Sequence, residues 1–363
     1  MTSAVASASR PRAGTLPIAG LGAIDCDVHP RSPRRQDLAP YVTDYWREIF
    51  TTREIDHLEM SGYPETLRPN RPAPEAGNAD AASLAKGLLD PLKLDAAILN
   101  VASGVHAIFD PYLAQVICQA TNRWLAAEWL DRDPRLRASL VVPFQHPEAA
   151  VAEIEAYAKD HRFVQIMAIV MSDNPLGQRR FWPIYEAAAK HGFALNIHAG
   201  NTYRHAPTQS GFNSYLVEDF VHQTQGFANQ VGSLVAEGVL GKFPEMKVVL
   251  SESGVTWMPS LMWRMSKDWR GVRIEVPWVK EMPSLLMRQQ VRMTLQPFDG
   301  PADPAQAARA IAHLGGDEML LFSSDYPHDH RIDVAYWPAN LPEELAAKAA
   351  RENALATYPR LEV

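Results

Sequence analysis

The chain is short of cysteine, of long apolar runs and of clustered positive charge, and each shortage narrows what it can be. Two cysteines in 363 residues cannot build a disulfide framework, which fits a reducing cytoplasm. Cys26 falls in a strand-like run and Cys118 in a helical one, so both read as core residues. No apolar run reaches the roughly 18 residues of a membrane span, so no membrane partner is expected. There is no Lys/Arg block and the net charge is −7, which argues against a nucleic-acid partner. The opening segment MTSAVASASRPRAGTLP is small, polar and basic, without the apolar stretch of a secretory signal. Residues 1–17 are therefore expected to be a disordered tail, with a transit peptide as the other reading because acidic residues are missing. There is no internal repeat.

What is present is a hydrophobic fraction of 47%, enough for one large α/β barrel or two ordinary domains. Short β-type runs recur at 23–28, 96–100, 139–144, 163–169, 194–198, 247–251, 290–295 and 319–323. Helical periodicity fills 111–130, 147–159, 178–191, 215–239 and 304–313 between them. Asp303 is placed to cap the last of these, with Pro304 at its first position. Strands alternating with helices predict a single parallel (β/α)8 TIM barrel over residues 18–363, closed by a C-terminal helix at 342–357. Residues 30–93, after strand one, are too many for an ordinary connection and are expected to cap the barrel mouth. A second long loop at 203–213 carries Arg204, His205 and Gln209 on the face that usually sets substrate choice.

Residues with metal-ligand chemistry stand where these strands stop. Strand one reads Ile-Asp-Cys-Asp-Val-His, and alternation by two puts Asp25, Asp27 and His29 on one face against Ile24, Cys26 and Val28 on the other. Ionisable groups inside a barrel are costly unless paired or metal-bound. His198 ends strand five, Glu252 follows strand six and Asp325 follows strand eight. A structural ion pair with Arg264 or Arg292 is the competing reading for the two carboxylates. His222, in the long helical segment, stands between ligand, proton shuttle and packing residue. Imidazole and carboxylate without thiolate suit Zn²⁺, Mn²⁺, Fe²⁺ or Ni²⁺, as one ion or a close pair.

On these residues the chain resembles the amidohydrolase superfamily, and within it the branch that includes aminocarboxymuconate-semialdehyde decarboxylase. The matching pieces are Asp27-Val-His29-Pro, His198-Ala-Gly, the run 242–259, Ser324-Asp325-Tyr-Pro-His328, the segment opening at Asn122 and the late Glu352-Asn353-Ala354. The resemblance spans about residues 23–357. It implies that Asp27, His29, His198 and Asp325 bind a divalent metal, that the substrate is a small molecule, and that the chain forms a homo-oligomer. Three departures matter: Asp-x-His in place of His-x-His on strand one, Glu252 where decarboxylases of the branch place a histidine, and no lysine on strand four.

The chemistry expected is hydrolysis by a metal-bound water, with Asp325 taking its proton and Glu252 or His222 assisting, or a related decarboxylation. Arg204 and Tyr203 are placed to hold a substrate carboxylate, with His328 beside them. The alternative is a nonheme iron oxygenase: the same mix of imidazole and carboxylate donors also suits a di-iron centre on this barrel, activating dioxygen to hydroxylate the substrate.

Overall fold

The computed structural model describes residues 14–53, 77–102, 104–201, 206, 208, 210–330 and 332–363. Eight strands follow one another in a single sheet: β1 (Ile24–Val28), β2 (Ala96–Leu99), β3 (Leu136–Val141), β4 (Phe163–Met171), β5 (Ala194–Asn201), β6 (Val248–Ser251), β7 (Val291–Thr294) and β8 (Leu320–Leu321). Every neighbouring pair is parallel. The sheet closes on itself where Cys26 N–H donates to Phe322 O at 3.0 Å, Asp325 N–H to Asp27 O at 3.1 Å and His29 N–H to Tyr326 O at 2.7 Å. This is a (β/α)8 TIM barrel, and its C-terminal rim is where β1 and β8 bring their ligand residues together.

The strands are apolar almost throughout because a parallel barrel buries both faces of its sheet. The main core lies between strands and outer helices. A smaller cluster joins Ile24, Cys26, Ala96, Ile98, Ala194, Val249 and Leu321 to Ala354, Tyr358 and Leu361 of the C-terminal segment. Arg360 holds that segment across the N-terminal end of the barrel, donating to the carbonyls of Phe163, Ala158, His191, Tyr157 and Asp160 and lying over the Phe193 ring.

Several expected boundaries move. β3 begins at Leu136 rather than 139, because Arg137 breaks the apolar run without breaking the strand; its guanidinium turns to the carbonyls of Pro134 and Leu136. The helix expected over 342–357 runs without interruption from 343 to 357, but it opens with a 3-10 turn Glu343–Leu345 and widens to a π turn Lys348–Glu352 before the α-helical Asn353–Thr357. Residues 14–17 of the expected tail are held: Trp337 N–H donates to Leu16 O at 2.8 Å and Pro17 bridges Tyr336. Strict alternation on β1 also fails. The register shifts between Asp25 and Val28, and Val28 joins the main core while Ile24 and Cys26 join the smaller cluster.

The described part of the insertion is stitched to the two ligand-bearing rims. Asn78 Nδ2 donates to His29 O at 3.1 Å, Arg31 N–H to Asn78 O at 3.0 Å and Gly77 N–H to the Tyr326 hydroxyl at 3.1 Å. Gly77 and Gly87 lie against each other at that hydroxyl. A Cβ would stand 2.6 Å from it at Gly77 and 2.5 Å at Gly87, so only glycine fits the approach.

Candidate metal centre

At the C-terminal rim the strands deliver Asp27 and His29 from β1, His198 from β5, Glu252 just past β6 and Asp325 just past β8. Glu252 and Asp325 both adopt left-handed backbone, with φ of 59° and 55°. Residues with a Cβ enter that region at a cost, and such strain gathers at functional sites. Here the positive φ turns each chain sharply off its strand, at the point where the carboxylate meets the other ligands.

Their donor atoms crowd together in two overlapping groups of four. One holds Asp27, His29, His198 and Glu252; the other holds His29, Glu252, Asp325 and His328. His29 Nε2 lies 3.4 Å from Asp27 Oδ1, 3.2 Å from Glu252 Oε1 and 3.0 Å from Asp325 Oδ1. His198 Nε2 lies 3.5 Å from both Asp27 Oδ1 and Glu252 Oε1. Both Nε2 atoms are buried, and neither makes a hydrogen bond among the described residues despite those neighbours. Nitrogens and oxygens that sit this close without aiming at one another are arranged around a common centre. Donors about 2.0–2.2 Å from a shared cation are spaced in this way. The site fits a divalent metal.

Electrostatics agree. Burial alone would lower the pKa of His29, but Asp325, Glu252 and Asp27 more than offset it and hold it well above the ordinary value. Burial likewise opposes the proton on His198, yet Glu252 and Asp27 raise it to about 9. The metal-free site therefore keeps protons where a cation would sit. His198 Nδ1 lies 2.7 Å from Ala199 O, the contact that fixes Nδ1 as the protonated nitrogen and leaves Nε2 as the ligand. Asp325 is also met by His328 Nδ1, 2.8 Å from the same Oδ1 that faces His29, and by His330 Nε2, 2.5 Å from Oδ2. Burial raises its pKa, but these imidazoles and His29 bring it well below the usual carboxylate range.

The expected residues separate accordingly. Asp27, His29, His198, Glu252 and Asp325 converge. The ion pairs considered for Glu252 and Asp325 do not form: Arg264 pairs with Asp268, and Arg292 donates to backbone carbonyls. His328, expected beside the substrate, is bound to Asp325. His222 lies on the helix Leu216–Ala236, outside both donor groups. Tyr203 and Arg204 lie outside the described residues. Asp25 shares the β1 rim but is not a donor; its Oδ1 accepts from Ser324 N–H and Asp27 N–H, and burial pushes it up to about 7. Sequence reasoning missed a buried polar set beneath the metal ligands, Asn100, Ser139, Gln165, Asn196 and Ser251. Its signal was available: a lone amide or hydroxyl in each of several otherwise apolar strands.

Residues 24–360 match the Amidohydrolase family model. The chain belongs to the amidohydrolase family. As a member it is a metal-dependent enzyme of the hydrolase–lyase kind. It is 25% identical over 266 residues to the gamma-resorcylate decarboxylase of Polaromonas sp. strain JS666, covering 70% of this chain and 79% of that one. It is 26% identical over 282 residues to that of Rhizobium radiobacter, covering 74% and 84%. Among solved structures, 5-carboxyvanillate decarboxylase from Sphingomonas paucimobilis superposes with a TM-score of 0.66 at 20% identity, covering 94% of this chain and 99% of that one. A dihydroxybenzoic acid decarboxylase from Polaromonas sp. JS666, with bound manganese and 2-nitroresorcinol, gives 0.63 at 20% identity, covering 94% and 98%. These likenesses share the barrel.

Proposed function

We propose that the chain is a divalent-metal-dependent, nonoxidative decarboxylase of a small aromatic acid with a hydroxyl beside its carboxylate. The observation that carries this is the convergence of Asp27, His29, His198 and Glu252 donor atoms at one rim of the barrel. The decarboxylase names of the relatives support it over the iron-oxygenase alternative. Asp27, His29, His198 and Glu252 would hold the ion, and one ion is the simplest occupancy because the single lone pair of His29 Nε2 cannot serve both donor groups. When bound, the cation supplies a Lewis-acid anchor for the substrate's carboxylate and hydroxyl.

The chain's own residues then manage the proton. The bond between ring carbon and carboxyl carbon breaks, carbon dioxide leaves, and its electron pair stays on the ring carbon, which takes a proton. The pair formed by Asp325 Oδ1 and His328 Nδ1 holds a proton beside the donor set and is the proposed source, restored from water. His330 keeps the carboxylate of Asp325 in place from its other oxygen. Arg204 and Tyr203 are proposed to orient the substrate carboxylate.

Glu252 favours hydrolysis as a second reading, since a carboxylate beside the cation can accept a proton from an attacking water. Incubation of the Mn²⁺-loaded protein in oxygen-18 water with 2,6-dihydroxybenzoate and 5-carboxyvanillate and, separately, with their methyl esters and amides decides between them. Carbon dioxide release, with an aromatic product that carries no oxygen from the labelled water, is the expected result. Turnover of a carboxylic ester or amide with label incorporation, and no carbon dioxide, would replace decarboxylation with hydrolysis.

A further inference from the structure

A directed set of hydrogen bonds runs beneath the metal ligands and ends on Asp27. Asn100, just past β2, donates from Nδ2 to Asp27 Oδ1 at 2.7 Å. Its Oδ1 accepts from Ser139 Oγ, from Gln165 Nε2 at 3.4 Å and from Asn196 Nδ2 at 3.3 Å. Gln165 Nε2 also donates to Ser139 Oγ at 2.9 Å, and Ser251 Oγ to Asn196 Oδ1 at 3.0 Å. All of these residues are buried.

The direction is set from the Asp27 end. A carboxylate oxygen 2.7 Å away can only accept, so the Asn100 amide nitrogen faces Asp27 and its carbonyl oxygen takes Ser139 Oγ, Gln165 Nε2 and Asn196 Nδ2. In that arrangement Asn100 is matched to an acceptor at position 27. The carboxylate oxygen that takes the Asn100 bond is the one lying 3.4 Å from His29 Nε2 and 3.5 Å from His198 Nε2. Among the described residues Asp27 Oδ2 has no hydrogen-bond partner, so the Asn100 contact is what sets the rotation of the carboxylate.

We infer that Asn100 is the positioning residue for the cation site: it selects a carboxylate at position 27 and fixes which of its oxygens faces the ion. This rests on the reading of Asp27 as a cation ligand. An imidazole at position 27 that bound the ion through one nitrogen would present the N–H of the other, and donor would meet donor at Asn100. The inference accounts for aspartate in the first-strand motif. It also links β5 and β6, since Asn196 stands two residues before His198 and Ser251 one before Glu252.

Mn²⁺ affinity, measured by chelator competition on the full-length protein, tests it without reference to turnover. Asn100→Ala is expected to weaken binding about 10- to 100-fold, the usual effect of losing the partner of a metal ligand. Ser251→Ala, at the far end of the set, is expected to change it by less than about threefold. Asp27→His alone should bind weakly. The double variant Asp27→His/Asn100→Asp, which restores an acceptor opposite the new N–H, should bind at least about tenfold more tightly than Asp27→His. Asn100→Ala at wild-type affinity, or a double variant no tighter than Asp27→His, would overturn the inference while leaving the cation site standing. Wild-type protein that takes up no Mn²⁺ would remove the cation reading and this inference with it.

Discussion

His198 illustrates how much one side chain carries. Its Nδ1 contact to Ala199 O fixes the tautomer, burial makes a bare proton costly, and the carboxylates of Glu252 and Asp27 hold that proton in place when no cation does. The sign of the pH dependence follows. Folding raises its pKa from 6.5 to about 9, so in metal-free protein this stabilisation is complete below pH 6.5 and lost as pH rises through 9. A cation must displace the same proton, so its affinity runs the other way. The rise in Tm on adding Mn²⁺ is therefore expected to grow steadily between pH 6 and pH 9, measured by calorimetry; a rise that shrinks over that range would mean His198 is not displaced by metal. Asp27, His29, His198, Glu252 and Asp325 were legible in the sequence because each is an ionisable residue directly at the end of an apolar strand. Asn100 was overlooked: its amide interrupts an apolar run and so left a signal, but its role depends on partners that only the fold supplies.

At the scale of elements, the rim of β8 matters most. Tyr326 follows Asp325, accepts from His29 N–H through its carbonyl, and receives Gly77 N–H on its hydroxyl. The insertion is thus fastened to the ligand-bearing backbone. Gly87→Ala would place a Cβ 2.5 Å from that hydroxyl. It is expected to cost about 1–3 kcal/mol and to speed hydrogen exchange over residues 77–92 more than in the strands, measured by mass spectrometry. Unchanged exchange there would show that the glycine approach is not what holds the insertion. The eight strands themselves were readable from runs of apolar residues, and their alternation with helices gave the barrel. What escaped was local: the register shift on β1, the strand continued through Arg137, and the π turn within the C-terminal helix. Each depends on backbone hydrogen bonds that residue types alone do not encode.

For the molecule as a whole, the two ends of the barrel divide the work. The N-terminal end is closed by Arg360, whose guanidinium is buried among the carbonyls of Phe163, Ala158, His191, Tyr157 and Asp160. Arg360→Ala strands those carbonyls and is expected to lower unfolding stability by about 3 kcal/mol or more. Mn²⁺ affinity of the folded variant should stay close to wild type, because the cation site lies at the opposite end; a parallel loss of affinity would show that the two ends are coupled.

The most direct measurement is the metal content of the protein and of two variants, after loading with Mn²⁺ and removal of excess. About one ion per chain is expected in the wild type, near zero in His198→Ala and Asp27→Ala, with far-ultraviolet circular dichroism unchanged in all three. Equal metal in wild type and both variants, or none in any, would contradict the centre built from Asp27, His29, His198 and Glu252.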